Sequence, residues 1–130
     1  MIEKENNLSE QTQEKEIIDW DVFLDNIGGD EQFCRDILKE CLLSIPEQIE
    51  KIKISLKKGL LEEGLMAAHS IKGNFANIEA KSLNKIAFEL EDLIKEKNMK
   101  KIPEILEIIE KEFLKLQKLA DKFLNKENKN

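Results

Sequence analysis

Apolar residues recur every three or four positions along most of this chain, and that spacing constrains the fold more than any other feature of the sequence. The strict alternation of apolar and polar residues that is typical of a half-buried strand does not occur. Five segments carry the helical pattern, and four of them are long. The sequence therefore predicts an all-α fold, an antiparallel up-down four-helix bundle with a short additional N-terminal helix.

The first two helices have recognisable start and stop signals. A short amphipathic helix is predicted from about residue 17 to residue 27, because Gly28-Gly29 stops it and Asp30 is a good N-cap for the next helix. The second helix is long, with an apolar face over about 31–57. Pro46 lies within it and removes one backbone donor, so we expect a kink or a local loosening there rather than a break.

The third and fourth helices are predicted over about 61–78 and 81–97. The fourth has the clearest apolar stripe, formed by Leu83, Ile86, Ala87, Leu90, Leu93 and Ile94. We expect Asn98 to be the left-handed residue that stops it. Pro103 then lies in the first turn of a fifth helix, whose apolar pattern continues to residue 124.

Outside these helices the chain is polar. Residues 1–16 predict a flexible leader, residues 17–124 the helical bundle, and residues 125–130 a polar tail. A chain of 130 residues buries roughly two-thirds of its unfolded surface, which is enough for one core. Because the bundle buries its own apolar stripes, we expect a monomer.

The charge balance and the hydropathy exclude several classes of partner. The net charge is −6 and Arg35 is the only arginine, whereas nucleic-acid binding needs a clustered basic surface. No apolar run approaches the roughly 20 residues that a membrane span needs. The polar start of the chain resembles neither a signal peptide nor a transit peptide. We therefore expect a cytoplasmic protein with no nucleic-acid or membrane partner.

Cys34 and Cys41 are predicted to be small core residues. On one helix, seven residues separate them by about 10 Å, which is beyond disulfide reach. With one His in the chain and no CxxC pair, a zinc site of Cys and His ligands is excluded.

Residues 67–77 carry chemistry that a bundle does not need. On a helical wheel, at about 100° per residue, the only His of the chain, His69, lies opposite the apolar side. That apolar side consists of Leu60, Ala67, Ile71, Phe75 and Ile78, with Gly64 and Ala68 on its flank. A core role for His69 is therefore disfavoured, and the pattern leaves open an ordinary surface His or a reactive one.

The neighbours of His69 favour the reactive alternative. Lys72 lies one turn further along the helix, within reach of a group attached to the imidazole. Gly73 costs about 1 kcal/mol in a helix interior and leaves room beside the ring, and Ala76 keeps the next turn small. A nucleophilic imidazole with open space and an ammonium beside it suits an anionic phosphoryl group.

The same side of the helix has the character of a docking surface. Glu62, Leu65, Met66 and Ala76 lie within about 60° of His69 on the wheel. Exposed apolar side chains around a reactive residue suggest contact with another protein. The alternative is that neighbouring helices cover Leu65 and Met66.

The segment Ala68-His69-Ser70-Ile71-Lys72-Gly73, followed by Ala76-Asn77-Ile78, resembles the signature of histidine-containing phosphotransfer (HPt) domains. These domains are the four-helix-bundle relay proteins of multistep two-component signalling. The resemblance covers roughly residues 17–124. It includes the Gly28-Gly29-Asp30 junction, the proline in the second helix and the end of the fourth-helix pattern at Glu89-Leu90-Glu91.

The resemblance implies roles for four residues. His69 would accept the phosphoryl group on the imidazole nitrogen remote from the backbone, Lys72 would offset its charge, and Gly73 would provide clearance. The family often has a Glu or Gln on the next helix that hydrogen-bonds the other imidazole nitrogen, and Glu91 is at the matching position. A carboxylate there would orient the ring and support its positive charge, although a solvated Glu91 is the alternative.

Glu79 departs from the family pattern, which often has Gly at this point shortly before the turn into the fourth helix. A Glu there changes the turn or adds negative charge near the docking surface. We expect this to affect the choice of partner more than the chemistry.

The function that the resemblance implies is that of a phosphorelay intermediate. His69 would accept a phosphoryl group from a receiver-domain aspartyl phosphate or a hybrid sensor histidine kinase, and another response-regulator receiver would then take it. The chain would be a carrier without autonomous catalysis or a cofactor, since Mg²⁺ belongs to the receiver. ATP binding is not expected, because neither GxxxxGK followed by Ser or Thr nor GxGxxG occurs.

Two other functions remain open from the sequence. The chain could be a silent adaptor that binds a receiver or kinase and carries no phosphate. It could also be a hydrolase that uses His69, although no Ser, Cys or metal constellation accompanies that residue.

Overall fold

The computed structural model describes residues 13–125. Most of the leader predicted at 1–16 and of the tail predicted at 125–130 therefore lies outside the described residues. In the predicted leader, residues 13–16 are helical rather than irregular. In the predicted tail, Asn125 still belongs to the last helix.

The described residues are helical throughout except for short turns, and they contain no strand. After a helical segment at residues 13–17, the helices are α1 (Trp20–Asn26), α2 (Glu31–Lys57), α3 (Leu61–Asn77), α4 (Lys81–Lys95) and α5 (Ile102–Asn125). The prediction of an all-α chain with four long helices is confirmed. Pro46 lies inside α2, which continues through it as one helix.

The four long helices form a ring in which each helix contacts two others. α3 packs against α2 and α4, and α5 packs against α4 and α2. Because short turns join successive helices, neighbours run antiparallel. Each helix contributes to a single core, for example through Ile45, Phe75, Leu90 and Leu116, all of which are fully buried.

The short helix α1 lies at the end of the bundle where α3 turns into α4. The Trp20 ring stacks on the Phe123 ring of α5, with centroids 4.4 Å apart and planes inclined by 7°. The backbone N–H of Asp19 donates to the carbonyl oxygen of Glu79 in the α3–α4 turn at 3.0 Å. These contacts hold α1 against α5 and against the α3–α4 turn.

The predicted start of the first helix, near residue 17, is wrong. The chain leaves helical geometry at Ile18 and Asp19, and α1 begins at Trp20. The cause is the side chain of Asp19, which accepts a hydrogen bond from the N–H of Val22 at 3.3 Å and so caps a new helix. Asp30 caps α2 in the same way, as predicted, by accepting from the N–H of Phe33 at 3.0 Å.

Two other local predictions are also wrong. The left-handed residue after α4 is Lys97, with φ of 58°, and not Asn98. The N–H of Asn98 instead donates to the carbonyl oxygen of Leu93 at 2.9 Å, and this bond fixes the left-handed position one residue earlier. Leu60, expected on the buried face of α3, is 43% exposed because it is the N-cap residue of α3, where helical periodicity no longer applies.

Candidate functional site

The imidazole of His69 projects from the middle of α3 into solvent. Its side chain is 69% exposed, whereas Ala68, Ile71 and Phe75 on the opposite side of the helix are fully buried. The outward position therefore follows from the apolar periodicity of α3, which fixes the rotation of the helix against its neighbours.

Glu91 of α4 holds one nitrogen of the His69 ring. The Nδ1 atom of His69 lies 3.3 Å from Oε1 of Glu91. A carboxylate only accepts hydrogen bonds, so Nδ1–H donates to Oε1, and in the neutral ring the other nitrogen, Nε2, carries a lone pair. This hydrogen bond favours the tautomer of the neutral ring in which the lone pair is on Nε2.

The carboxylate of Glu91 is buried, with a side chain 9% exposed, and lies among cations. Lys72 Nζ is 2.7 Å from Oε2, and Lys95 Nζ is 3.7 Å from Oε1. Burial by itself raises the pKa of Glu91, but the hydrogen bonds from Lys72 and His69 and the charges of Lys72 and Lys95 outweigh it, so the pKa lies below its ordinary value. Glu91 is therefore ionised near neutral pH.

Lys72 is held in place by three elements of its surroundings. Its ammonium approaches Glu91 and also lies 5.1 Å from the centroid of the Phe88 ring, within the range of a cation–π contact. Its backbone carbonyl oxygen accepts a hydrogen bond from Nδ2 of Asn84 at 3.0 Å. In this arrangement the ammonium points at the carboxylate that orients His69.

Gly73 leaves open space one turn from His69. A Cβ atom built on Gly73 would find no other heavy atom within 4 Å outside its own helix backbone and chain neighbours. Packing within the chain therefore does not require a glycine here. The space beside Gly73 is open.

Comparison with known proteins assigns this arrangement to a family. Residues 36–124, which include His69, Lys72, Gly73 and Glu91, match the family model described as the Hpt domain. The chain belongs to the Hpt domain family. Its role is histidine phosphotransfer in phosphorelays, and Hpt domains are phosphoryl carriers that interact with receiver domains and hybrid kinases.

Two solved structures have the same fold as this Hpt domain. Histidine-containing phosphotransfer protein B (HptB) from Pseudomonas aeruginosa PAO1 superposes with a TM-score of 0.75 at 24% identity, over 85% of this chain and 96% of that one. The HPT domain from the Hpt sensor hybrid histidine kinase from Shewanella gives a TM-score of 0.70 at 24% identity, with the same coverage. No curated protein matches the sequence.

The predicted docking residues lie on the surface that surrounds His69 in this Hpt domain. Glu62, Met66 and Ala76 are exposed, and Met66 is 72% exposed, so no neighbouring helix covers it. Leu65 is half-buried and packs against the core. Of the two apolar side chains, Leu65 is therefore partly covered and Met66 is not.

Sequence reasoning missed Phe88 and Lys95, which α4 places beside the predicted residues. Phe88 is 55% exposed although it is a large aromatic residue, and it lies on the polar side of α4. That mismatch between side-chain type and helix face was a visible signal. Lys95 is four residues after Glu91, a spacing that puts two side chains on the same face of a helix.

Glu79 lies in the α3–α4 turn of the Hpt domain with a left-handed backbone, φ of 56°. This conformation explains why a glycine suits the position. Here the Glu79 carboxylate accepts a hydrogen bond from Nδ2 of Asn26 at 3.0 Å. Its negative charge is therefore directed toward α1.

A groove of about 480 Å³ between α2 and the start of α5 is lined by residues such as Leu56, Met99 and Leu106, and none of its lining residues contacts His69. Among residues 13–125, no group of three or more His, Cys, Asp or Glu side chains is placed to hold a metal ion. No helix in that range is long and apolar enough to cross a membrane.

Proposed function

We propose that His69 accepts a phosphoryl group from a receiver-domain aspartyl phosphate, or from a hybrid sensor kinase, and passes it to another response-regulator receiver. One observation carries this proposal. The only His of the chain is largely exposed while its Nδ1–H is bound to a buried carboxylate, which leaves Nε2 as the available nucleophile. This is what an incoming phosphorus atom requires.

The transfer balances without a base. The lone pair of Nε2 attacks phosphorus, the bond between phosphorus and the aspartyl oxygen breaks, and the aspartate leaves as a carboxylate. No proton has to leave Nε2, because in this tautomer the ring proton is on Nδ1. The reverse sequence delivers the phosphoryl group to the next receiver.

Each neighbour of His69 has a distinct role in this step. The product ring is formally cationic, and the carboxylate of Glu91 supports that charge through the Nδ1–H bond. Lys72 offsets the negative oxygens of the phosphoryl group. Gly73 gives the receiver access to the ring.

The partner binds over the docking surface predicted from the sequence, Glu62, Leu65, Met66 and Ala76, to which the structure adds the exposed ring of Phe88. It combines exposed apolar side chains with a partly charged rim, as protein interfaces do. The chain acts as a monomeric carrier that binds no ATP and no nucleic acid, and the receiver supplies Mg²⁺ and most of the electrostatic catalysis.

The protein works in the cytoplasm. The functional unit is the bundle of residues 17–124, with residues 1–16 and 125–130 as a leader and a tail that the chemistry does not need.

Phosphoryl transfer from a panel of phosphorylated, labelled receiver domains tests the proposal. We expect the native chain to acquire a label that is labile in acid and stable in alkali, as a phosphohistidine is, and the His69→Gln variant to acquire none. A His-to-Gln change retains the length and polarity of the side chain while removing the nucleophilic ring.

Three results would contradict the proposal. Label on the His69→Gln variant would place the acceptor elsewhere. Binding of receivers without any label would indicate a silent adaptor, and release of inorganic phosphate without a labelled intermediate would indicate a hydrolase.

A further inference from the structure

Lys95 approaches the same carboxylate oxygen that holds His69. Its Nζ atom lies 3.7 Å from Oε1 of Glu91, and Oε1 also accepts from Nδ1 of His69 at 3.3 Å. Lys72 lies at the other oxygen, Oε2, so the buried carboxylate has three partners that can carry positive charge: Lys95, His69 and Lys72. If Glu91 only orients the imidazole, that role does not require Lys95 as a second lysine.

Two anionic groups compete for the ammonium of Lys72, namely the Glu91 carboxylate and a phosphoryl group on His69. In the unphosphorylated chain its ammonium is 2.7 Å from Oε2 of Glu91, and its side chain is only 23% exposed. A phosphoryl group on Nε2 of His69 presents negative oxygens that attract the same ammonium. When Lys72 turns toward them, Glu91 keeps the cationic ring at Oε1 but loses its nearest cation at the buried Oε2, and a buried carboxylate whose charge is only partly compensated is destabilising.

We infer that Lys95 is a positioning residue that replaces Lys72 at Glu91 when Lys72 turns toward the phosphoryl group. The inference rests on the proposed role of His69. Lys95 suits this role because its side chain is 56% exposed and free to close the separation of 3.7 Å, and its place one turn from Glu91 keeps it within reach. It acts through Glu91 and does not contact the phosphoryl group.

The lifetime of the phosphohistidine tests this inference. The chain and its variants are phosphorylated with phosphoramidate, whose phosphorus–nitrogen bond breaks with release of ammonia as the Nε2–phosphorus bond forms. After the donor is removed, water attacks phosphorus, the Nε2–phosphorus bond breaks, and inorganic phosphate is released at a rate that ³¹P NMR follows. A small donor makes both steps independent of receiver docking.

We expect Lys95→Gln to shorten the half-life about two- to fivefold, the factor that a partly exposed ion pair provides. In a Glu91→Gln background the same substitution has no effect, because a neutral amide needs no replacement cation. Lys95→Arg retains the half-life. The matched control is Lys111→Gln, which removes a lysine paired at the same spacing with Glu107, 3.4 Å away on α5, and leaves the half-life unchanged.

Either of two outcomes would overturn the inference. An unchanged half-life in Lys95→Gln would make Lys95 an exposed ion pair without a role in the chemistry. An equal shortening in the native and Glu91→Gln backgrounds would mean that Lys95 acts on the phosphoryl group directly. Thermal unfolding of each variant shows that the fold is retained.

The proposed function fails by a different result. If no receiver exchanges a phosphoryl group with the native chain, the relay role is contradicted. The half-lives of the chemically phosphorylated variants still decide whether Lys95 acts through Glu91.

Discussion

At the scale of single residues, Gly73 and Glu91 both carry a local cost beside the exposed imidazole of His69 in this Hpt domain. Gly73 weakens α3 without filling any close packing need, since the space beside it is open. Glu91 places a carboxylate in a buried position and depends on Lys72, His69 and Lys95 to keep it ionised.

Gly73→Gln separates the effect of Gly73 on stability from its effect on transfer. We expect the free energy of unfolding to rise by about 0.5 kcal/mol, because Gln is the better helix former and no neighbour obstructs it. Transfer from a receiver falls at least about tenfold, since misplacing reacting groups by about 1 Å costs on the order of a hundredfold. Denaturant unfolding measures the free energy of unfolding, and an assay with a phosphorylated receiver measures the rate of transfer. A variant that is destabilised, or that transfers at the native rate, would contradict this account of Gly73.

Glu91 predicts a specific pH dependence of stability. Its pKa is lower in the folded chain than its ordinary value of 4.5, so the unfolded chain binds the proton more readily. The stabilisation is complete above pH 4.5 and is lost as the pH falls through the lower, folded value. We therefore expect the melting temperature of the native chain to fall more steeply below pH 4.5 than that of Glu91→Gln. Parallel profiles would show that Glu91 is not held as an ion in the fold.

Much of the site could be predicted from residue types and spacing, and the rest could not. His69, Lys72 and Gly73 share one helix, so the helical period alone places them together. Contacts that join two helices depend on how α4 is rotated and shifted against α3. For that reason the approach of Lys95 and Phe88 to the His69 site was not predicted.

At the scale of elements, the helices end in one repeated way. After α1, α2, α3 and α4, a left-handed residue follows the helix, namely Gly28, Gly59, Glu79 and Lys97 in turn. At each of them the next N–H donates back to a carbonyl five residues earlier, as from Leu60 to Ser55, which is the Schellman arrangement. Glycine signals predicted the first two ends well, whereas Glu79 and Lys97 carry no such signal, and the predicted ends of α3 and α4 were one and two residues late.

Lys97→Gly tests the strain at such an end. A non-glycine residue in the left-handed region destabilises the folded chain by about 1–2 kcal/mol, and a glycine relieves that strain. Glycine also makes the unfolded chain more flexible, which favours unfolding by about 0.4–1 kcal/mol. We expect the free energy of unfolding to rise by about 0.5–1 kcal/mol. The matched control is Glu96→Gly, at a residue with right-handed φ of −78°, which should lower it. Destabilisation by both substitutions to the same extent would contradict the assignment.

At the scale of the whole molecule, one continuous core encloses both thiols. Cys34 is 0% and Cys41 5% exposed, and both belong to the core that all the helices share. Burial, with a smaller contribution from Glu40, raises the pKa of Cys41 to about 11, and burial first of all also raises the pKa of Cys34.

The two thiols therefore report on global opening. The thiolate is the reactive form, so at pH 8 we expect a thiol reagent to modify the folded chain far more slowly than the chain in denaturant. Both thiols should react at one common rate, because exposing either one requires opening of the same core. Mass spectrometry of the singly and doubly modified species checks this. Fast modification of one thiol in the folded chain would indicate that part of α2 opens independently.

An ion pair joins Lys122 Nζ near the end of α5 to Glu14 Oε1 at a distance of 2.9 Å. It brings the beginning and the end of the described chain together at one end of the bundle, while the contacts of His69 come from α3 and α4. Close termini make a domain suitable for circular permutation and for insertion into a loop of a host protein. This bundle can therefore be spliced into another polypeptide as an internal module, with the exposed His69 ring turned outward.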